Sequence, residues 1–249
     1  MITDSFDLTT EAVVRPQSFA QPVAGFPEVA VITFRQEIAD LIPTRFGGEV
    51  IHTLHAGFRI PVYKIQYKGV AVAVYQTLIG AASTVALAEE VHSLGAKRFV
   101  VFGSCGVLDR ALTAGRLIVP TAAYRDEGIS YHYAPAADWI DVPTAARLGE
   151  ILDALHLPYI TGKTWTTDGL YRETRKNVAL RRAEGCITVE MECAALAAAA
   201  GLCGFEVYQY LYAEDNLDCE TWERRTMGNV PMDTKERYLR IALDVAKQV

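Results

Sequence analysis

Positive charge is what this chain has too little of to serve a nucleic acid. Lys and Arg total 24 against 30 Asp and Glu, a net charge of -6. Phosphate backbones are bound by a surplus of basic residues, so DNA or RNA is not expected as the main partner. Cysteine is scarce and unpaired in pattern. Cys105, Cys186, Cys193, Cys203 and Cys219 make an odd number, with no CxxC and no metal-ligand spacing to a histidine. That excludes a disulfide framework and a zinc module, and predicts reduced thiols in a cytoplasmic protein with no bound metal. No run approaches the roughly 18 uninterrupted apolar residues of a membrane span. The opening residues, Met1-Ile2-Thr3-Asp4-Ser5-Phe6-Asp7, lack the basic-then-apolar order of a signal peptide. GxGxxG is also missing, so no dinucleotide fingerprint is present.

What is there suits one large domain, since 249 residues that are half apolar can bury a substantial core. Residues 1–28 are polar and broken by Pro16, Pro22 and Pro27, which predicts an arm over the domain or over a neighbouring subunit. The domain then occupies residues 29–249. Residues 29–34 read as a buried strand, followed by a helix over 35–42 stopped at Pro43. Residues 49–75 hold three strand-like runs, the last two joined through Lys68-Gly69, a hairpin signal. A helix over 84–94 closes on Gly95. Residues 99–102 form an apolar strand of the kind covered on both faces. At its end, Gly103-Ser104-Cys105-Gly106 would let backbone approach a ligand and aim amides at an anion, although a tight turn explains it equally well.

Further on, the loop over 125–133 mixes Arg125, acids, His132 and two tyrosines, a costly set to bury without a function. An amphipathic helix is expected over 143–155, a strand over 159–166, a charged helix over 172–184 and a last core strand over 205–212. Asp215 then falls in a polar loop, and residues 233–247 make a closing helix. Alternating strands and helices imply an α/β fold, a three-layer α/β/α sandwich on a mainly parallel, mixed central sheet. Ligands of such sheets bind beyond the carboxyl ends of strands.

Thr188-Val189-Glu190-Met191-Glu192-Cys193 delivers two acids into an alanine-rich helix over 194–200, which Gly201 is placed to stop. The helix macrodipole favours acids there by a few tenths to ~1 kcal/mol, which explains them without a ligand. Four other stretches change the balance: Phe102-Gly103-Ser104-Cys105-Gly106, the 125–133 loop from Arg125 to Tyr133, Thr167-Asp168-Gly169-Leu170-Tyr171 and Ala213-Glu214-Asp215-Asn216. In this order and at these separations, from about Val29 to the C-terminus, the chain resembles the type-I nucleoside phosphorylase family.

The resemblance implies cleavage of a nucleoside by inorganic phosphate as co-substrate, without an organic cofactor, in a homodimer or a hexamer of dimers. Glu192 matches the carboxylate that holds the ribose hydroxyls, and Asp215 the acid directed at the imidazole-ring nitrogen of a purine. Met191, Glu190, Ser104, Cys105, Gly106, Asp168, Leu170 and Tyr171 would line the ribose and base. Arg35, Gly103, Ser104, Arg59 and Arg125 would serve phosphate. The chain departs from the family in lacking a Gly-Asp-Pro loop after its first strand, in Val101 where an arginine is expected, and in Leu170 where an aromatic is expected. Thr174 and Lys176 stand where uridine-specific relatives carry a glutamine and an arginine, which favours purine over uracil. A nucleosidase, a uridine phosphorylase and a nucleoside-binding protein without turnover are the alternatives. For the nucleosidase, Glu37 is the approximate match to a water-activating glutamate.

Overall fold

Apolar, β-branched runs become strands, and the computed structural model, which describes residues 1–249, joins ten of them in one sheet. They are β1 (Val29–Thr33), β2 (Glu49–His55), β3 (Arg59–Tyr67), β4 (Val70–Gln76) and β5 (Arg98–Val107), then β6 (Leu117–Asp126), β7 (Trp139–Asp141), β8 (Tyr159–Thr167), β9 (Cys186–Glu190) and β10 (Glu206–Asn216). The helices are α1 (Gln36–Ala39), α2 (Leu41–Arg45), α3 (Ala81–Leu94), α4 (Arg110–Thr113) and α5 (Ser130–Tyr133), followed by α6 (Ala145–Ala154), α7 (Arg175–Ala183), α8 (Cys193–Cys203) and α9 (Met232–Ala246).

Two parallel blocks make the centre, one of β4, β1, β5 and β10 and the other of β6, β8 and β9. They run in opposite senses and meet twice, through Gly106↔Val189 between β5 and β9 and through Leu211↔Ile118 between β10 and β6. β5, β9, β8, β6 and β10 therefore close into a ring. Beyond β4 the sheet continues through the antiparallel β3 and β2. The α/β class with a mixed sheet is as expected; the closure is not visible in the sequence.

Side-chain alternation splits the core in two. Val29 and Val31 of β1 face α6 and α9, while Ala30 and Ile32 face α3 and α8. The hairpin falls where expected, with Lys68 at φ 47° and Gly69 at φ 87°, the doubly positive turn that matches strand twist. The arm carries two short 3-10 turns and lies on α3: Ser93 Oγ donates to Ala20 O at 2.7 Å, and Val23 N to Leu94 O at 2.9 Å. No helix is long and apolar enough to cross a membrane.

Four local expectations give way. Pro43 does not stop a helix but sits in the first turn of α2, where its missing N–H breaks no helical bond. Gly201 lies inside α8, which ends instead at Gly204, in the left-handed region at φ 78°. The 103–106 stretch is not a loop, because β5 runs through it to Val107. Asp215 is not in a loop either, since β10 carries it beside a register shift between Ala213 and Asp215.

Candidate functional site

The two acidic stretches meet across β5. Gly106 pairs with Val189 of β9 on one side and with Asp215 of β10 on the other. Two strand spacings separate β9 from β10, about 10 Å. A Cβ on Gly106 would stand 2.5 Å from Leu217, 2.9 Å from Val189 and 3.5 Å from Asp215 Oδ1. One on Gly103 would stand 3.0 Å from the Phe34 ring. These glycines thus admit neighbouring side chains, correcting the expectation that they admit a ligand. Ser104 is exposed, whereas Cys105 is buried and its thiol is pushed up by burial and by the charges of Asp215 and Glu190.

Glu190 is a cap. Its Oε2 accepts from Glu192 N at 2.8 Å and Cys193 N at 2.7 Å, and its Oε1 accepts from Thr166 Oγ1 at 2.5 Å. Thr166 Oγ1 in turn accepts from Ala194 N at 3.0 Å, so the first amides of α8 are satisfied from within. Its place among the ligand-lining residues is therefore corrected. Glu190→Gln would set an amide N–H₂ or a weaker acceptor against those amides, at a cost of about 1–3 kcal/mol. A lowered denaturant midpoint at unchanged slope checks it.

Glu192 is buried, and its Oε1 accepts from Gly80 N, at the start of α3, at 2.6 Å. Burial first, and then the Glu190 carboxylate, push its proton affinity up. Burial pushes Glu190 up too, to about 7, but Glu190 accepts the three bonds and sits at a helix N-terminus, so of the two neighbouring acids Glu190 ionises first and Glu192 holds its proton longer. Met191 beside it is half-buried; Asp168 is exposed, accepts from Gly128 N at 3.0 Å and adds to the upward push on Glu192.

Asp215 lines a cavity of about 920 Å³ together with Leu170, Tyr171, Glu173, Leu217 and Trp222. Trp222 Nε1 donates to Asp215 Oδ2 at 2.7 Å, and burial raises the carboxyl group's proton affinity. Leu170 and Tyr171 are in this wall. Glu192, Glu190, Met191 and Ser104 are not among its lining residues. Glu173 went unnoticed in the sequence. It makes no side-chain hydrogen bond or ion pair, and burial and the charge of Asp215 push it up to about 7. An acid between Arg172 and the Thr174 cap of α7 carries no local signal of burial.

The expected phosphate arginines are largely engaged. Arg35 pairs with the buried Glu214. Arg125 is buried, donates to Ser130 Oγ at 2.8 Å, Pro135 O at 2.6 Å and Ala134 O at 3.3 Å, and lies 4.2 Å from the Tyr131 ring centre. It pins its own loop, which corrects its assignment to an open anion site, and His132 of that loop is exposed. Arg59 is exposed at the start of β3 and has no ion pair within the chain. Glu37 accepts from Lys235 Nζ at 3.0 Å. No group of three or more His, Cys, Asp or Glu is arranged to hold a metal.

Residues 28–247, covering every element from β1 to α9, match the family model described as the phosphorylase superfamily. The chain belongs to the phosphorylase superfamily. A uridine phosphorylase of Thermococcus kodakarensis is 37% identical over 110 residues, 43% of this chain and 39% of that relative, so the match spans less than half its length. A purine nucleoside phosphorylase DeoD-type of Bacillus cereus is 28% identical over 193 residues, 73% of this chain and 78% of the relative. Among solved folds, the purine nucleoside phosphorylase of Toxoplasma gondii in complex with immucillin-H superposes with TM-score 0.73 at 17% identity, over 98% of this chain and 100% of that one. The AMP nucleosidase of Bacteroides thetaiotaomicron gives 0.70 at 17%, over 93% and 92%. At that identity both show the fold. This member is an enzyme of the nucleoside phosphorylase superfamily.

Proposed function

We propose that this superfamily member cleaves a purine nucleoside with phosphate, giving free base and ribose 1-phosphate. The observation that carries the reading is Asp215: a half-enclosed carboxyl group of raised proton affinity, fixed by Trp222 on the wall of a cavity large enough for a nucleoside. Breaking the bond makes the sugar cation-like and drives an electron pair onto the base. Asp215 gives the departing base a proton, and Glu192, beyond the walls of that cavity on the β9 side of Gly106, binds the ribose hydroxyls and, once ionised, opposes the sugar's positive charge. Thr174, whose Oγ1 accepts from Asn177 N at 3.3 Å, supports purine over uracil because its short hydroxyl lacks the amide pair that a glutamine there would offer uracil.

Phosphate is supported by the relatives described as phosphorylases. Arg59 is the arginine left free to meet it, in the site of a neighbouring copy of a homodimer or a hexamer of dimers. Hydrolysis is the second reading, favoured by a specific observation: Arg35 and Arg125 are already bound to partners within the chain. Purified protein incubated with inosine, adenosine, guanosine and uridine decides between them. Free purine only when phosphate is added is the expected result. Release without phosphate establishes hydrolysis, and release of uracil alone overturns the purine assignment.

A further inference from the structure

Asp215 does not line its cavity as the sole carboxyl group. Glu173 follows the 3-10 turn Leu170–Arg172 and lines the same cavity, before α7 begins. Neither its own helix nor the 217–228 segment offers it a side-chain partner. A carboxylate left unpaired in a half-enclosed site is costly, and the charge of Asp215 opposes ionisation of Glu173 in the same cavity, so the pair retains a proton that a lone exposed acid would lose. The indole of Trp222 donates and cannot accept, so that proton is not drained through it.

We propose that Glu173 is a positioning residue acting through Asp215, the two carboxyl groups holding one proton between them as the store from which the departing base is protonated. The inference rests on the proposed acid role of Asp215. As the glycosidic C–N bond breaks and a phosphate oxygen bonds to the sugar carbon, the electron pair passes into the base's imidazole ring, whose other nitrogen takes the proton. The pair is left doubly ionised, and it recovers a proton from water when the base leaves. Trp222 and Arg225 face Asp215 and favour its ionised form, while Glu214 and Cys105 lie on the flanking strand positions. Arg175, Arg182, Asp218 and Glu220 ring the cavity. Arg175 donates to Glu220 O at 2.7 Å, Asp218 is held by Arg110 at 2.8 Å, and neither Arg175 nor Arg182 forms an ion pair with Glu173.

The sign follows from the pair. Up to neutrality the pair keeps a proton, because Glu173 is pushed up to about 7 by burial and by the charge of Asp215, and Asp215 is the member that hands it to the base. Its macroscopic titration belongs to both groups, and without Glu173 the remaining acid loses its proton at lower pH. The test compares wild type, Glu173→Gln and Glu173→Asp on inosine and on a nucleoside methylated at the base nitrogen that Asp215 faces, whose base needs no proton to leave. The basic limb of kcat against pH is expected to move down by about one pH unit in Glu173→Gln. At fixed pH on that limb this reads as about tenfold less turnover of inosine. The methylated nucleoside is turned over as in wild type, and Glu173→Asp restores most of the limb. An unmoved limb, or parallel loss on both nucleosides, overturns the inference. Asp215→Asn separates the two layers. Loss of inosine turnover in that variant beside an unmoved limb in Glu173→Gln sinks the pairing alone, whereas normal turnover by Asp215→Asn sinks the acid role as well.

Discussion

Asp215→Asn lowers kcat on inosine by about 10²–10⁴-fold, the usual worth of a positioned proton donor, or roughly 3–5 kcal/mol of barrier. The fold should be untouched. The amide oxygen still accepts from Trp222 Nε1, and the backbone stays in register with Gly106. What the variant lacks is an acidic proton. KM is therefore expected within a few-fold of wild type, since loss in kcat with binding preserved marks an interaction made only in the transition state. The nucleoside methylated on the base nitrogen supplies the control, because its base departs without a proton and the variant should turn it over at near the wild-type rate. Equal loss on both substrates would mean that Asp215 shapes the pocket and donates nothing. Normal turnover of inosine would end the reading.

Position in the sheet explains why Asp215 can do this. The register shift between Ala213 and Asp215 is the kind of strand irregularity that re-aims a side chain, here into the cavity beside Leu217. Gly106 on the neighbouring strand leaves the space: any Cβ there meets Leu217 and Val189 before it meets Asp215. The carboxyl group is thus set by three chain segments that are far apart in sequence, and its environment is a property of the sheet.

The same distinction separates what could be read in the sequence from what could not. Local chemistry was legible. Lys68-Gly69 forms the turn its residues demand, and the alternation in β1 sorts side chains to two faces. The alanine run makes α8. Long-range pairing was not legible. Gly103 and Gly106 look like a loop until β9 and β10 supply hydrogen-bonding partners that hold them extended. Arg35 and Glu214 are 179 residues apart, so nothing near Arg35 announces that its charge is already spent. Arg125 reads as a free cation because the carbonyls that hold it, Ala134 and Pro135, carry no side-chain signal. Of the two acids beside Met191, spacing alone cannot tell the cap from the ligand; the hydrogen bonds to Thr166, Glu192 and Cys193 identify Glu190 as the cap.

That division of labour gives the second large effect. With Glu190 holding the charge, Glu192 is the neighbouring buried acid that titrates, and an amide at that position imitates its protonated form. Glu192→Gln can still accept from Gly80 N and from sugar hydroxyls, so substrate affinity should change little. It cannot oppose the positive charge that develops on the sugar. By comparison with removal of other preorganised electrostatic groups, kcat should fall about 10²–10³-fold, and the acid limb of the pH profile should vanish with it. Stability should move the other way. The folded carboxyl group is raised above its ordinary value of 4.5, so between that pH and its folded value the native state binds more protons than the unfolded chain. The stability it confers is present below about pH 4.5 and is lost as pH rises through the folded value, whereas glutamine loses none. Thermal unfolding at pH 8 should therefore find Glu192→Gln at least as stable as wild type while its turnover is nearly gone. A variant both unstable and inactive at that pH would assign Glu192 to the packing of α3 against α8 and leave the sugar's charge to another group.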